Sequence, residues 1–194
     1  MLSKHQKINA TKALTYCSLL AALSVVLARF LVITPNESTR FSLEAVPIFL
    51  AGLLFGPASG AMVGFAADFI GCLISPFGYN PIFSIPPILY GLFAGLARRY
   101  VSAKTNPLRL LLSFLPPVVL GSLLYQSAAL AFMYYDGLFP QGFLFYLTTR
   151  SIQFAITLVL DVLMLYIVLH SGVFQRLHLW PIPQKSKGGS DRDC

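Results

Sequence analysis

Long apolar runs separated by short polar joints dominate the chain. Ala13 to Ile33 is 21 residues with a single charge, Arg29. A hydrocarbon core of about 30 Å needs roughly 20 apolar residues in a helix, so this run predicts a first membrane span. A secretory signal has an apolar core of only about 7–15 residues, so a retained helix is expected behind the basic start Lys4, Lys7 and Lys12. Pro35 to Arg40 reads as a polar loop. A second run begins at Ser42, a helix-capping residue type with Glu44 in the first turn, and stops near Gly56. It is short for a crossing, which predicts a tilted or irregular helix or a loop dipping inward. A third run is Ala58 to Ile74, and Ile88 to Ala97 completes a fourth, ending in Arg98 and Arg99. The fifth, Leu110 to Tyr134, should kink at Pro116-Pro117. After a turn over Asp136 to Gly142, the sixth is Phe143 to Ser171.

The pattern predicts an all-α fold, an integral membrane bundle of six transmembrane helices in one domain. Residues 1–12 form its N-terminal segment, 13–171 the bundle, and 172–194 a polar tail expected to be disordered.

The centre of the pattern is Pro47 to Ile74. Gly52, Gly56, Gly60 and Gly64 recur every fourth residue, and Gly91 and Gly95 repeat the spacing further on. Small residues at that spacing let helix backbones approach closely in lipid. Gly56-Pro57 should split the run into two helices, because proline cannot donate to the first and suits the first turn of the second. Asp68 lies about ten residues into the second helix, roughly 15 Å from its end. A carboxylate at that depth is costly, and therefore a functional candidate. Asp161, about midway along the sixth run, sits toward the cytoplasmic half, where a structural role is expected.

Between the third and fourth runs, Ser75 to Pro87 holds four prolines interleaved with Phe77, Tyr79 and Phe83, and carries no charge. Two readings stand side by side: a connector at the membrane interface, where aromatics concentrate, and a lid over a ligand.

Charge turns the span count into a topology. Only 11% of the 194 residues are charged, against about 25% in soluble domains. The net charge of +7 does not form a polar nucleic-acid-binding face; the basic residues lie at the ends of apolar runs. Of the 14 lysines and arginines, all but Arg29, Arg40 and Arg150 fall on the side that holds both termini. The positive-inside rule places that side in the cytoplasm. Insertion does not account for the three remaining arginines, which could hold an anion arriving from outside.

Catalytic patterns are missing. His5, His170 and His178 lack metal-site spacing, and Cys17, Cys72 and Cys194 lack it too. No nucleophile elbow and no phosphate-binding Gly-x-x-x-x-Gly-Lys loop occurs. An enzyme is therefore not expected, nor a metal or cofactor, and any energy must come from a partner. A stand-alone carrier would show repeated halves with broken helices, and no such repeat is visible.

The ordered set Leu27-Ala28-Arg29-Phe30-Leu31, Arg40-Phe41-Ser42, Pro47 to Pro57, then Gly60, Gly64, Asp68, Gly71, Gly78-Tyr79 and Thr149-Arg150 resembles the folate-family S-component of energy-coupling-factor (ECF) transporters over about residues 10–170. Two stretches depart from the family pattern. Asn80-Pro81-Ile82-Phe83-Ser84-Ile85 stands where an aromatic-Pro-Gly-Phe-Thr run is usual, and Tyr125-Gln126-Ser127-Ala128 where an Asn-Thr pair is usual.

The resemblance implies a six-helix subunit without catalytic activity. It would capture a vitamin, expected to be folate, from outside and associate with a transmembrane scaffold subunit and two cytoplasmic ATPases. The departures keep another vitamin, such as pantothenate or cobalamin, as the alternative, with a stand-alone carrier behind it. A folate-like ligand has a flat pterin, an aryl ring and a carboxylated tail. For its anions the sequence offers Arg29, Arg40 and Arg150; for stacking, Tyr79, Phe83, Tyr90, Tyr125 and Tyr146; for polar edges, Asp68, Asn80 and Gln126. The resemblance also implies that a small-residue face of the first helix meets the scaffold. Ala13, Cys17 and Ala21, with Ser18 and Ala22 beside them, are the expected face.

Overall fold

A computed structural model describes residues 10–30, 33–36, 39–74, 79–103, 106–134 and 139–171. Among these, the chain runs α1 (Ala10–Phe30), β1 (Ile33–Asn36), β2 (Thr39–Phe41), α2 (Ala45–Phe55), α3 (Pro57–Leu73), a 3-10 turn (Pro81–Ser84), α4 (Ile85–Ala103), α5 (Pro107–Pro117), a π-helical segment (Val118–Tyr125), α6 (Gln126–Tyr134) and α7 (Phe139–His170). Since α5, the π segment and α6 follow without a break, these make six rods. Four are long and apolar enough to cross a membrane, and α2 and α3 are shorter. The tail from residue 172 lies outside the described residues.

The short second helix is enclosed by the rest of the bundle. Every residue from Ala45 to Leu54 is buried, and α1, α3, α4 and α7 pack around it. A helix enclosed by other helices need not match the thickness of the hydrocarbon, because its surroundings are protein. It is neither irregular nor a dipping loop. Its N-cap is Glu44 without a side-chain capping bond, not Ser42. Phe49, fully buried, stacks on Phe114 of α5 with ring centres 3.8 Å apart.

The break between α2 and α3 falls at Gly56-Pro57. Gly56 adopts φ +105°, a conformation that side-chain-bearing residues rarely accept. Pro57 then occupies the first turn of α3, where its missing N–H costs nothing. The same logic corrects the proline-rich loop. Pro86 and Pro87 belong to the first turn of α4, and Asn80 starts the 3-10 turn by accepting a hydrogen bond from the Ile82 N–H at 3.1 Å. Residues 75–78 of that loop lie outside the described residues.

Other expectations shift as well. The loop at 35–40 includes parts of an antiparallel strand pair, β1 with β2. The last helix begins at Phe139, before the expected start at Phe143. Pro116-Pro117 produces a π segment in place of a simple kink. Two successive residues without N–H deprive Leu112 and Ser113 of their donors, and the ladder beyond resumes in a wider register.

The outside of the bundle is apolar. Leu14, Phe30, Met62, Phe132 and Ile152 are all more than two-thirds exposed, as befits a surface solvated by lipid.

Candidate functional site

The six rods enclose a cavity of about 950 Å³, within the usual range for small-molecule sites. Most of the wall is helical, and α7 supplies the largest share. On α7 the wall is Tyr146, Arg150, Gln153, Phe154, Thr157, Leu158 and Asp161. Its polar members step by three or four residues and so share one helix face. On the π segment and α6 the wall is Val118, Ser122, Gln126, Leu130 and Met133. From α1 come Ser24, Ala28 and Arg29, and from α3 Ala67, Asp68, Gly71 and Cys72. Glu44 and Ile48 close the side toward α2. Asn80, Phe83, Pro86, Pro87 and Tyr90 close it from the 3-10 turn and α4.

The polar groups are positioned by one another. Ser84 Oγ donates to Asp68 Oδ2 at 2.5 Å and lies 3.1 Å from Tyr79 Oη. Cys72 Sγ is 3.9 Å from Asp68 Oδ1. Tyr79 packs edge-on against Phe69 with ring centres 5.1 Å apart. Tyr90 Oη and Ser122 Oγ share a hydrogen bond of 2.8 Å between α4 and the π segment. Ser24 Oγ donates to the Glu44 carbonyl at 2.8 Å, which ties α1 to the start of α2.

The two arginines differ from these satisfied groups. Arg29 lies over Gly71, its Nη2 3.4 Å from where a Cβ would stand. Arg150 sits over the Phe154 ring at 5.1 Å. The Nε atom of each is buried without a hydrogen-bond partner among the described residues. A desolvated guanidinium with an unused donor is costly, and it is suited to an anionic ligand that arrives later. Among the described residues no three His, Cys, Asp or Glu side chains cluster as a metal site.

Of the residues singled out in the sequence, Arg29, Asp68, Asn80, Phe83, Tyr90, Gln126, Tyr146 and Arg150 line this one cavity. Tyr79 does not; it stands behind Asp68, through Ser84. Tyr125 does not either, because the lining positions on its helix are Ser122 and Gln126, on either side of it. Arg40 falls in β2, and its side chain lies outside the described residues.

Asp161, expected to be structural, lines the cavity instead. The cavity reaches three helical turns past Arg150, further than a shallow outer site would. Ser24, Glu44, Ser122 and Gln153 were not anticipated. The α7 set was legible as Arg150, Gln153, Thr157 and Asp161, a polar row continuing along one face into the mostly apolar second half of the 32-residue helix.

The expected scaffold face divides in two. Ala21 is buried in the core, and Ala13 and Cys17 are half-buried. Ser18 and Ala22 face outward, with Thr11 and Thr15 beside them. Leu20, Ser24 and Val25, also buried, show which way α1 turns its inner side.

Residues 8–173 match the family described as the ECF-type riboflavin transporter, S component. The folate transporter FolT of Clostridium novyi (strain NT) is 30% identical over 93 residues, which are 45% of this chain and 52% of that protein. The chain thus spans about half the length of this curated relative. The crystal structure of FolT bound with folic acid superposes with a TM-score of 0.67 at 26% identity, covering 82% of this chain and 93% of that one. The S-component for biotin from an ECF-type ABC transporter superposes with a TM-score of 0.56 at 16% identity, over 91% and 98%; this likeness concerns the fold alone.

Proposed function

The chain belongs to the ECF-type transporter S-component family, and we infer that the molecule it captures is a folate-type vitamin. One observation carries the choice: two arginines, each with a buried and unused Nε, line the same cavity. A folate tail carries two carboxylates, biotin one, and riboflavin none. Tyr90 and Phe83 supply aromatic surface in the same space. The likeness to the folic-acid-bound FolT structure, over most of both chains, supports the same reading.

In this account the subunit binds and has no catalytic activity. Arg29 and Arg150 hold the tail by charge-assisted hydrogen bonds, and Asn80 and Phe83 cover it from the 3-10 turn. Asp68, already engaged by Ser84 and Cys72, keeps the wall in place. Both termini are cytoplasmic, and the cavity loads from the opposite side. Translocation requires a membrane scaffold subunit and two ATPases, since the sequence carries no nucleotide-binding loop of its own. The scaffold docks on the outward small-residue row of α1, Thr11, Thr15, Ser18 and Ala22, where backbones can approach closely.

The experiment is to purify the chain alone in detergent and identify the co-purified small molecule by mass spectrometry. A folate is expected; riboflavin or biotin in its place would overturn the choice of vitamin.

A further inference from the structure

Asp161 is 2% exposed, and its Oδ1 has no hydrogen-bond partner among the described residues. It nevertheless forms part of the cavity wall. Burying a carboxylate oxygen without a donor costs far more than most side-chain contacts return. The other intramembrane aspartate of the cavity, Asp68, shows the contrast, because Ser84 Oγ reaches its Oδ2 at 2.5 Å.

The position of Asp161 adds direction. Arg150 and Asp161 are eleven residues apart on α7, about three turns, so they share one face and stand about 16 Å apart along the axis. The cavity therefore has a guanidinium at one station and an unsatisfied acceptor three turns deeper. Tyr90 and Ser122, whose hydroxyls already pair with each other at 2.8 Å, line the same cavity.

We propose that Asp161 is the specificity-determining residue that reads the ring edge of the ligand, selecting a 2-amino-4-oxopyrimidine edge over a 2,4-dioxopyrimidine edge. This rests on the folate-type reading above. A 2-amino-4-oxo edge presents two adjacent N–H donors, from the ring nitrogen and the exocyclic amine. One carboxylate accepts both, each bond charge-assisted. A 2,4-dioxo edge, the one a flavin carries, presents a single N–H between two carbonyl oxygens. The second carboxylate oxygen would then face another acceptor at a buried position. Rejection of that kind is large because a buried polar group is left unpaired. The ring goes deep and the carboxylated tail stays at the arginines, so Asp161 also sets the orientation.

The test is calorimetry on the purified subunit with two ligands: folic acid, and its analogue with the 2-amino group replaced by oxygen. The wild-type protein should bind the analogue at least tenfold more weakly than folic acid. Asp161→Asn offers one donor and one acceptor, so it should bind folic acid at least tenfold more weakly than wild type and lose or reverse the preference. If Asp161→Asn does not fold, Asp161→Ala takes its place in the same two-ligand comparison, with the same loss of preference expected. Equal wild-type affinity for both ligands, or an Asp161→Asn protein that keeps the full preference, overturns this inference and leaves the folate assignment standing. Failure of the wild type to bind folic acid overturns both.

Discussion

Gly60 of α3 and Gly91 of α4 meet backbone to backbone: a Cβ on either would overlap the carbonyl of the other. This contact sets the spacing between the helix that carries Asp68 and the helix that carries Tyr90. In lipid no hydrophobic gain is available between helices, so such close packing supplies much of their association. Gly91→Val is expected to lower stability by about 1–3 kcal/mol through overpacking. Thermal unfolding of the purified protein in detergent checks this, and an unchanged midpoint would show that α3 and α4 can separate without loss.

Arg29→Ala and Arg150→Ala are each expected to weaken folic acid binding by about 2–5 kcal/mol, the range for truncating one partner of a buried charge pair. Calorimetry on both variants measures it. Unchanged affinity in both would make the two arginines anchors of the protein rather than of the ligand.

The two rows on α1 should respond differently to a large ring. Ala21 is 7% exposed, so Ala21→Trp overpacks the bundle, and expression and ligand binding fall together. Ser18→Trp and Ala22→Trp, on the exposed row, should fold and bind ligand normally but abolish uptake in cells that supply the scaffold and ATPases. Normal uptake in both outward variants would remove this face as the docking surface.

The basic residues fix the expected orientation. A reporter fused after Arg192 should read as cytoplasmic and one inserted at Asp136 as external. The reverse pattern would contradict the loading direction.

The helix count was legible in the sequence because apolar runs are set apart by polar joints or by the Gly56-Pro57 break, with charges collected at many of their ends. The glycine row and the Gly56-Pro57 break were legible because only small or φ-permissive residues fit there. The depth of the site was not. Asp161 looked structural because hydropathy gives a residue's height along one helix but not which face turns toward a cavity. Ala21 misled in the same way. A small residue permits close contact on either side, and only the packing of Leu20, Ser24 and Val25 decides which. Tyr125 fell off the lining face because the π segment alters the register after Pro117, which a plain 3.6-residue period does not anticipate.

The most direct measurement of the central claim is calorimetry of the purified subunit, with neither partner proteins nor ATP, against folic acid, riboflavin and biotin in turn. The account predicts tight, saturable binding of folic acid with one molecule per chain and no heat from the other two. Saturable binding of riboflavin or biotin with none of folic acid would contradict it.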